Sequence, residues 1–199
     1  RLNLDADYKQ DGYLVIAIDD SENSEIQQSI SYLNQFGFQS RYVDKSELER
    51  LGFRNVFGGR YEPGSAQAHP TKFRNGLLQH CLARGLKYFS GVQVRDIQEQ
   101  SDRVVVEQVS GAVNHYEAAV IAANAYSPLV SQFFAKHRLV EPFRGQIITS
   151  KPIPEGFPVS YPHSFDHGYE YALMTPDRRL MIGGWRNHTP HGEVGTYDI

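Results

Sequence analysis

A group of residues near the end of the chain has aromatic and cationic side chains of the types that contact small ligands. Tyr169 and Tyr171 alternate onto one face of a predicted strand, and Arg179 opens the next strand. Trp185 and Arg186 follow that second strand. A guanidinium binds a carboxylate through paired hydrogen bonds, and aromatic rings often wall a ligand pocket. The alternative is a structural role, with the tyrosines half-buried in a sheet and both arginines facing water.

Phosphate-loop and hydrolase patterns are absent from the sequence. Gly59 and Gly64 have phosphate-loop spacing, but Ser65 stands where the lysine that binds the β- and γ-phosphates is required. Neither GxSxG nor GxGxxG occurs. The sequence therefore has no nucleophile elbow and no glycine-rich first turn of a dinucleotide-binding fold.

The histidines form two close pairs in the sequence, His163 with His167 and His188 with His191. Both pairs lie among proline, glycine and serine, without a helix to bring an i, i+4 pair onto one face. A zinc site needs three or four ligands in tetrahedral geometry. We interpret these side chains as solvated loop histidines and predict no metal site. His69 is interpreted as a helix-entry residue.

Composition excludes two classes of partner. The formal net charge is −3 with dispersed basic residues, so no nucleic-acid footprint is present. Apolar runs such as 118–123 are far shorter than the roughly 20 residues of a membrane span. The one cysteine, Cys81, fits a reducing compartment, so a cytoplasmic protein is expected. It lies on the apolar stripe of a predicted helix, which indicates core packing.

Helices and strands alternate along the chain, which predicts an α+β fold. Residues 113–123 end in an apolar run typical of a strand buried on both faces. The predicted strands are 11–18, 38–43, part of 57–68, 86–89, 91–100, 103–109, 113–123, 144–151 and a pair within 169–185. The predicted helices run from Ser24 to Gly37, over 46–52, from His69-Pro70 to Gly85, and from Ser127-Pro128 through Phe134.

Several segments stand in an order that resembles a known family. They are DYKQDGYLVIAI (7–18), GGRYEPGSAQAHPTKFRNGLLQHCLARGLKYF (58–89), VIAANAYSPLV (120–130), PFRGQIITSKPI (142–153) and DRRLMIGG (177–184). Together they resemble the D-amino-acid-oxidase-like flavoproteins, especially the branch that includes gamma-glutamylputrescine oxidoreductase. The resemblance covers nearly the whole chain.

The resemblance implies two interleaved domains. Residues 1–65 and 129–199 are expected to belong to a substrate domain with a large mixed sheet. Residues 66–128 are expected to form part of an FAD-binding domain, comprising a helix and a three-stranded meander. In the family, a glycine-rich fingerprint lies before the segment that this chain resembles. The family's closing strand lies after that segment. We therefore expect a central fragment that binds FAD weakly or not at all, within a parent protein that binds it.

Roles for individual residues follow from the same resemblance. Val94 is expected near the adenine of FAD. Ala122, Ala123 and Asn124 are expected near the pyrophosphate or ribose, where small side chains permit close approach. The alternative for the two alanines is plain tight packing.

The resemblance also assigns a flavin-facing surface. Gly183 and Gly184 are expected to let the sheet lie close to the isoalloxazine ring. Tyr171 and Arg186 are expected to contact the substrate.

The implied reaction is oxidation of the C–N bond of an amine or amino acid to an imine, by hydride transfer to flavin. The expected partner is a small-molecule amine or amino acid, and the sequence assigns no oligomeric state. The alternative is a binding or interaction module that kept the fold without the cofactor.

Overall fold

The computed structural model describes residues 2–158 and 161–188. These residues fall into two compact units. Unit 1 contains the described residues up to Arg84 and those from Gly145 onward, and unit 2 is Gly85–Arg144. The assignment of chain segments to a substrate domain and an FAD domain remains a prediction.

The strands and helices are numbered in chain order. The strands are β1 (Tyr13–Ala17), β2 (Arg41–Asp44), β3 (Gly58–Glu62), β4 (Val94–Glu99), β5 (Val104–Gln108), β6 (Val113–Tyr116), β7 (Gln146–Pro152), β8 (His163–Phe165), β9 (Glu170–Met174) and β10 (Arg179–Gly184). The helices are α1 (Asp20–Gln35), α2 (Lys45–Arg50), α3 (Pro70–Leu82), α4 (Ser127–Val130) and α5 (Gln132–His137), with a 3₁₀ turn at Asn124–Tyr126.

Unit 1 is built on a seven-stranded sheet in the order β2-β3-β1-β8-β9-β10-β7. The β1–β8 pair is parallel, with Leu14 opposite His163. The other neighbouring pairs are antiparallel. A mixed sheet in an α+β chain is therefore confirmed.

The core of unit 1 lies between the sheet and α2. Leu14 and Ile16 alternate on β1 and contact Val43, Leu48 and Val56, each at most 5% exposed. Asp44 positions α2 by accepting a hydrogen bond from the Glu47 backbone N–H at 2.8 Å, which is the usual helix N-cap arrangement. A polar residue at the end of β2 thus starts the helix that delivers Leu48 to the core.

Helix α1 begins earlier than predicted. Asp19 caps it by accepting from the Glu22 backbone N–H at 2.8 Å, and the Glu22 side chain accepts from the N–H of Ile18, which precedes the cap, at 3.0 Å. The cap at Asp19 places Ser24 inside the helix. The start predicted at Ser24 was wrong.

Helix α3 has the predicted span but not the predicted burial. His69 and Pro70 begin it, yet none of its residues is buried. Phe73 is 49% exposed and Cys81 is only partly covered. The prediction of core packing for Cys81 was wrong, because no second layer covers this face among the described residues.

Unit 2 contains the predicted meander, a three-stranded sheet in the order β4-β5-β6. The fourth strand was predicted wrongly, because β6 ends at Tyr116 and residues 117–123 form no strand. Val120 in this stretch is 93% exposed. Apolar composition indicated burial, but the described residues supply no strand partner. The strand predicted at 86–89 is also absent.

The helix predicted after Ser127-Pro128 is interrupted. Ser131 adopts an extended conformation, with φ −148° and ψ 119°, and separates α4 from α5. Within the described residues, no helix has the length and apolar character to cross a membrane.

Candidate functional site

The β9–β10 hairpin is closed by a compact polar turn. The Thr175 hydroxyl donates to Asp177 at 2.6 Å, and Arg179 Nε donates to the same carboxylate at 2.7 Å. The Thr175 hydroxyl first, and Arg179 second, hold the pKa of Asp177 below its usual range. Arg179 also donates to the Ser150 carbonyl of β7 at 3.3 Å. This predicted substrate residue is therefore engaged in fixing the hairpin.

One face of the hairpin carries large side chains. Met181 pairs with Leu173, and Gly183 pairs with Tyr171, and directly opposite residues of antiparallel strands share a face. The Tyr171 ring covers Gly183, since a Cβ there would lie 2.5 Å from the ring. Gly183 therefore provides the space that the tyrosine occupies.

Gly184 is required by its own backbone surroundings. Its φ is +135°, and a Cβ would overlap the Tyr169 carbonyl oxygen. Both glycines are buried. The neighbouring strand therefore explains why both positions are glycine. Their contact with a flavin ring remains a prediction.

A cleft of about 1090 Å³ opens beside this face in unit 1. The apolar lining residues Leu173, Met181 and Phe157 are called its floor, and the charged lining residues its rim. The other lining residues are Asp7, Lys9, Gln67, Ala68, His69, Pro70, Met174, Thr175, Pro176, Asp177 and Arg178. A cleft with an apolar floor and a few polar groups is the usual form of a small-molecule site.

Charges on the cleft rim occur in pairs. Lys9 contacts Asp11 at 2.7 Å, and Lys72 contacts Asp7 at 2.6 Å. The hydrogen bond from Lys72 to Asp7 raises the pKa of the lysine. His69 Nδ1 accepts from the Lys72 backbone N–H at 3.5 Å, which agrees with its interpretation as a helix-entry residue. The cleft therefore presents both signs of charge around an apolar floor.

The remaining predicted substrate residues are at the surface. Tyr169 precedes β9 and is 43% exposed, while Trp185 follows β10 and is 47% exposed. Arg186 is also exposed. None of the predicted substrate residues lines the cleft, although Tyr171 lies on the same face of β9 as Leu173, which does.

The predicted nucleotide-contacting residues lie in unit 2. Val94 begins β4 opposite Gln108. Ala122 and Asn124 are exposed, and Asn124 has a positive φ of 48°. These small residues form the connection between the meander and α4, which packs against β4. Their proximity to FAD remains a prediction.

Several cleft residues were not anticipated from the sequence. Leu173 and Met181 were assigned to strands but not to a site, because an apolar strand residue looks the same whether it faces a core or a cleft. Lys9 and Gln67 are joined by an isolated β-bridge between distant segments. Only the helix entry at His69-Pro70 gave a sequence signal at this place.

Comparison with known proteins identifies the fold and family. Residues 1–198 match the family described as FAD dependent oxidoreductase. A D-amino acid dehydrogenase from Methylobacterium sp. is 31% identical over 134 residues, which is 66% of this chain and 31% of that protein. A D-amino acid dehydrogenase from Granulibacter bethesdensis is 25% identical over 129 residues, covering 65% of this chain and 31% of that protein.

Solved structures show the same fold. Glycine oxidase from Geobacillus kaustophilus matches with a TM-score of 0.75 at 20% identity, over 90% of this chain and 48% of that chain. L-proline dehydrogenase from P. horikoshii matches with a TM-score of 0.72 at 19% identity, over 89% of this chain and 49% of that chain. The chain thus spans about half the length of these solved relatives.

Proposed function

We propose, for a chain that belongs to the family of FAD dependent oxidoreductases, that the whole protein oxidises the C–N bond of an amino acid or amine to an imine. The chemistry that FAD would supply is a hydride acceptor for the carbon beside the nitrogen, while the nitrogen would lose a proton as the imine forms. The observation that carries the proposal is the cleft of about 1090 Å³ beside β9 and β10, with its apolar floor and charged rim. An amino acid has the matching combination of a charged head and a side chain.

The chain's own residues then bind and orient the substrate. Leu173 and Met181 hold its apolar part and exclude water from that side. Tyr171, on the same face, supplies a hydroxyl and a ring edge. Arg186 is proposed to hold the carboxylate, since Arg178 and Arg179 are already engaged by backbone carbonyls and Asp177. Among the residues that the structure describes, a guanidinium that no carboxylate or carbonyl already engages is better suited to a ligand.

FAD contacts are proposed for four residues of unit 2. Val94 would lie against the adenine, and Ala122, Ala123 and Asn124 would lie along the pyrophosphate or ribose. The exposure of Ala122 and Asn124 supports this, because a backbone must be accessible before a phosphate can approach it. The backbone at Gly183 and Gly184 is proposed to lie beside the isoalloxazine ring of FAD.

The substrate class is proposed from the relatives and from the sequence motifs. The relatives named D-amino acid dehydrogenase favour a D-amino acid and a dehydrogenase. The resemblance to the gamma-glutamylputrescine oxidoreductase branch favours a primary amine instead. Assay of the whole protein with D-amino acids and with polyamine derivatives separates these, and oxygen consumption separates an oxidase from a dehydrogenase. A cytoplasmic location is proposed from the single cysteine.

Arg186→Ala in the whole protein tests the proposed carboxylate contact. A hydrogen bond to a charged group contributes about 1.5–3 kcal/mol, so KM for an amino-acid substrate is expected to rise by roughly 10- to 100-fold. Arg103→Ala is the matched control, because Arg103 is exposed in unit 2 and contacts its neighbour Asp102. An unchanged KM in Arg186→Ala removes this residue from the site.

The cofactor part of the proposal has a separate test. The whole protein should be yellow, with absorbance at roughly 450 nm as flavoproteins show. A colourless whole protein that takes up no added FAD contradicts the oxidoreductase assignment and favours a binding module instead.

A further inference from the structure

A second cluster of ionisable groups lies around the first residue of β9. Asp166 is in the loop after β8, Glu170 begins β9, and His188 follows β10. One potential ligand atom from each of these residues lies within 4.8 Å of the others. Glu170 alternates with Tyr171 along β9, so the two side chains emerge on opposite faces. None of the three residues lines the cleft.

Glu170 is buried without a partner for one of its oxygens. The residue is 3% exposed, and its Oε2 has no hydrogen-bond partner among the residues that the structure describes. A buried carboxylate oxygen without a donor is costly, because the protein does not replace the water it has lost. Such an oxygen calls for a proton or a cation.

Asn187 adds a second unsatisfied oxygen at the same place. Its side-chain N–H donates to Asp166 Oδ2 at 3.3 Å, while its own Oδ1 is buried and lacks a partner within the described chain. The nitrogen of the Asn187 amide therefore already points towards Asp166. Its oxygen is available as a further donor atom to a cation.

The electrostatics of the cluster also favour a positive charge. Burial, followed by the nearby Asp166 carboxylate, raises the pKa of Glu170, and His188 opposes this in part. The neighbouring carboxylate disfavours ionisation of Glu170 unless a positive charge compensates. A bound cation would supply that charge.

The loop that carries Asp166 is held in place from α1. Glu22 is buried and accepts from the His167 backbone N–H at 2.7 Å and from the Ile18 N–H at 3.0 Å. Glu25 lies 3.7 Å from the His167 ring. The ligand-bearing loop is thus anchored by residues outside the cluster, as pre-organised metal sites require.

We propose that Asp166, Glu170 and His188 form a binding site for one divalent transition-metal cation, with the Asn187 amide oxygen as a fourth donor. Two carboxylates and an imidazole suit Zn²⁺ or Mn²⁺ better than Ca²⁺ or Mg²⁺, which prefer oxygen ligands alone. The site is structural in this proposal, because it ties the loop between β8 and β9 to the segment after β10.

The test uses tag-free whole protein that has been treated with EDTA and dialysed. Titration with ZnCl₂ and, separately, MnCl₂ by calorimetry should show one equivalent bound, and the same metal should raise Tm. His188→Ala should weaken binding by at least about tenfold, since even loss of an outer-sphere partner has an effect of that size. His115→Ala, an exposed histidine on β6, should bind as the parent does.

Glu170→Gln provides the second variant. It keeps the shape of the side chain and removes the buried charge, so it should fold and lose the metal-dependent rise in Tm. The proposal is overturned if neither metal binds, if His188→Ala and Glu170→Gln bind as tightly as the parent, or if CaCl₂ binds as tightly as both transition metals. None of these readouts depends on oxidoreductase activity, so this proposal stands or fails independently of the proposed function.

Discussion

The two units contain similar apolar segments, but these are buried in unit 1 and exposed in unit 2. In unit 1, Leu14, Ile16, Val43 and Leu48 are at most 1% exposed. In unit 2, Val120 is 93% exposed, and no apolar residue is buried among those described there. The periodicity of a segment shows which face is apolar, but burial depends on a second layer packed against it. Unit 1 supplies that layer from its own chain through α2.

The largest expected contrast is between two leucine truncations. Leu48→Ala removes a fully buried side chain and should lower the free energy of unfolding by about 2–5 kcal/mol. Leu129→Ala removes a side chain that is 72% exposed in unit 2, and it should change stability by no more than about 0.5 kcal/mol. Urea unfolding followed by circular dichroism measures both. Equal losses would contradict the contrast between the units.

A pair of glycine substitutions sharpens the same contrast at the backbone. Gly184 and Gly111 both have positive φ, so alanine is strained by about 1–3 kcal/mol at either position. At Gly184 the new Cβ also overlaps the Tyr169 carbonyl, whereas nothing lies within 4 Å at Gly111. Gly184→Ala should therefore be less stable than Gly111→Ala by about 1–3 kcal/mol. Thermal unfolding of the two variants tests this. A smaller loss of stability in Gly184→Ala than in Gly111→Ala would show that β9 moves to accommodate the new Cβ.

The smallest expected effect is the pH dependence of His163, which is 6% exposed. Burial lowers the pKa of this histidine, and its hydrogen bond to the Tyr161 carbonyl opposes the shift. The unfolded chain protonates it near pH 6.5, so its stabilising effect is complete above that pH and is lost as the pH falls below it. The contribution changes by at most about 1.4 kcal/mol per pH unit.

Two histidine variants isolate that contribution. His163→Phe should flatten the loss of stability between pH 6.5 and pH 5 relative to the parent protein. His115→Ala, exposed in unit 2, should retain the parent's pH profile. Chemical unfolding at a series of pH values compares them. A parent-like slope in His163→Phe would assign the pH dependence to other groups.

Local sequence signals predicted the elements that local interactions determine. The alternation in 169–185 gave the β9–β10 pair, because Thr175, Asp177 and Arg179 close the turn by bonds among themselves. Histidine 163 was predicted as a solvated loop residue, and this was wrong because it lies buried in β8 beside Phe53. Its short strand is stabilised by β1, which no local pattern reveals.

The candidate sites were predictable to different degrees. Tyr171 and Arg179 were located on the hairpin from alternation and strand order alone. Asp166, Glu170 and His188 were not grouped, because a loop and two strands separate them and only the register of β9 and β10 brings them together. The apolar floor of the cleft was not predicted for a related reason. Leu173 and Met181 come together across two strands, not through their spacing along one strand.

The parallel pairing of β1 with β8 has a consequence for biosynthesis. Leu14 meets His163 only after all of unit 2 has been made, so an emerging chain leaves this side of β1 without its strand partner throughout that interval. Closing so long a loop carries an entropic cost and slows formation of the contact. The nascent polypeptide therefore exposes an unpaired strand edge, which is the kind of surface that chaperones shield from aggregation.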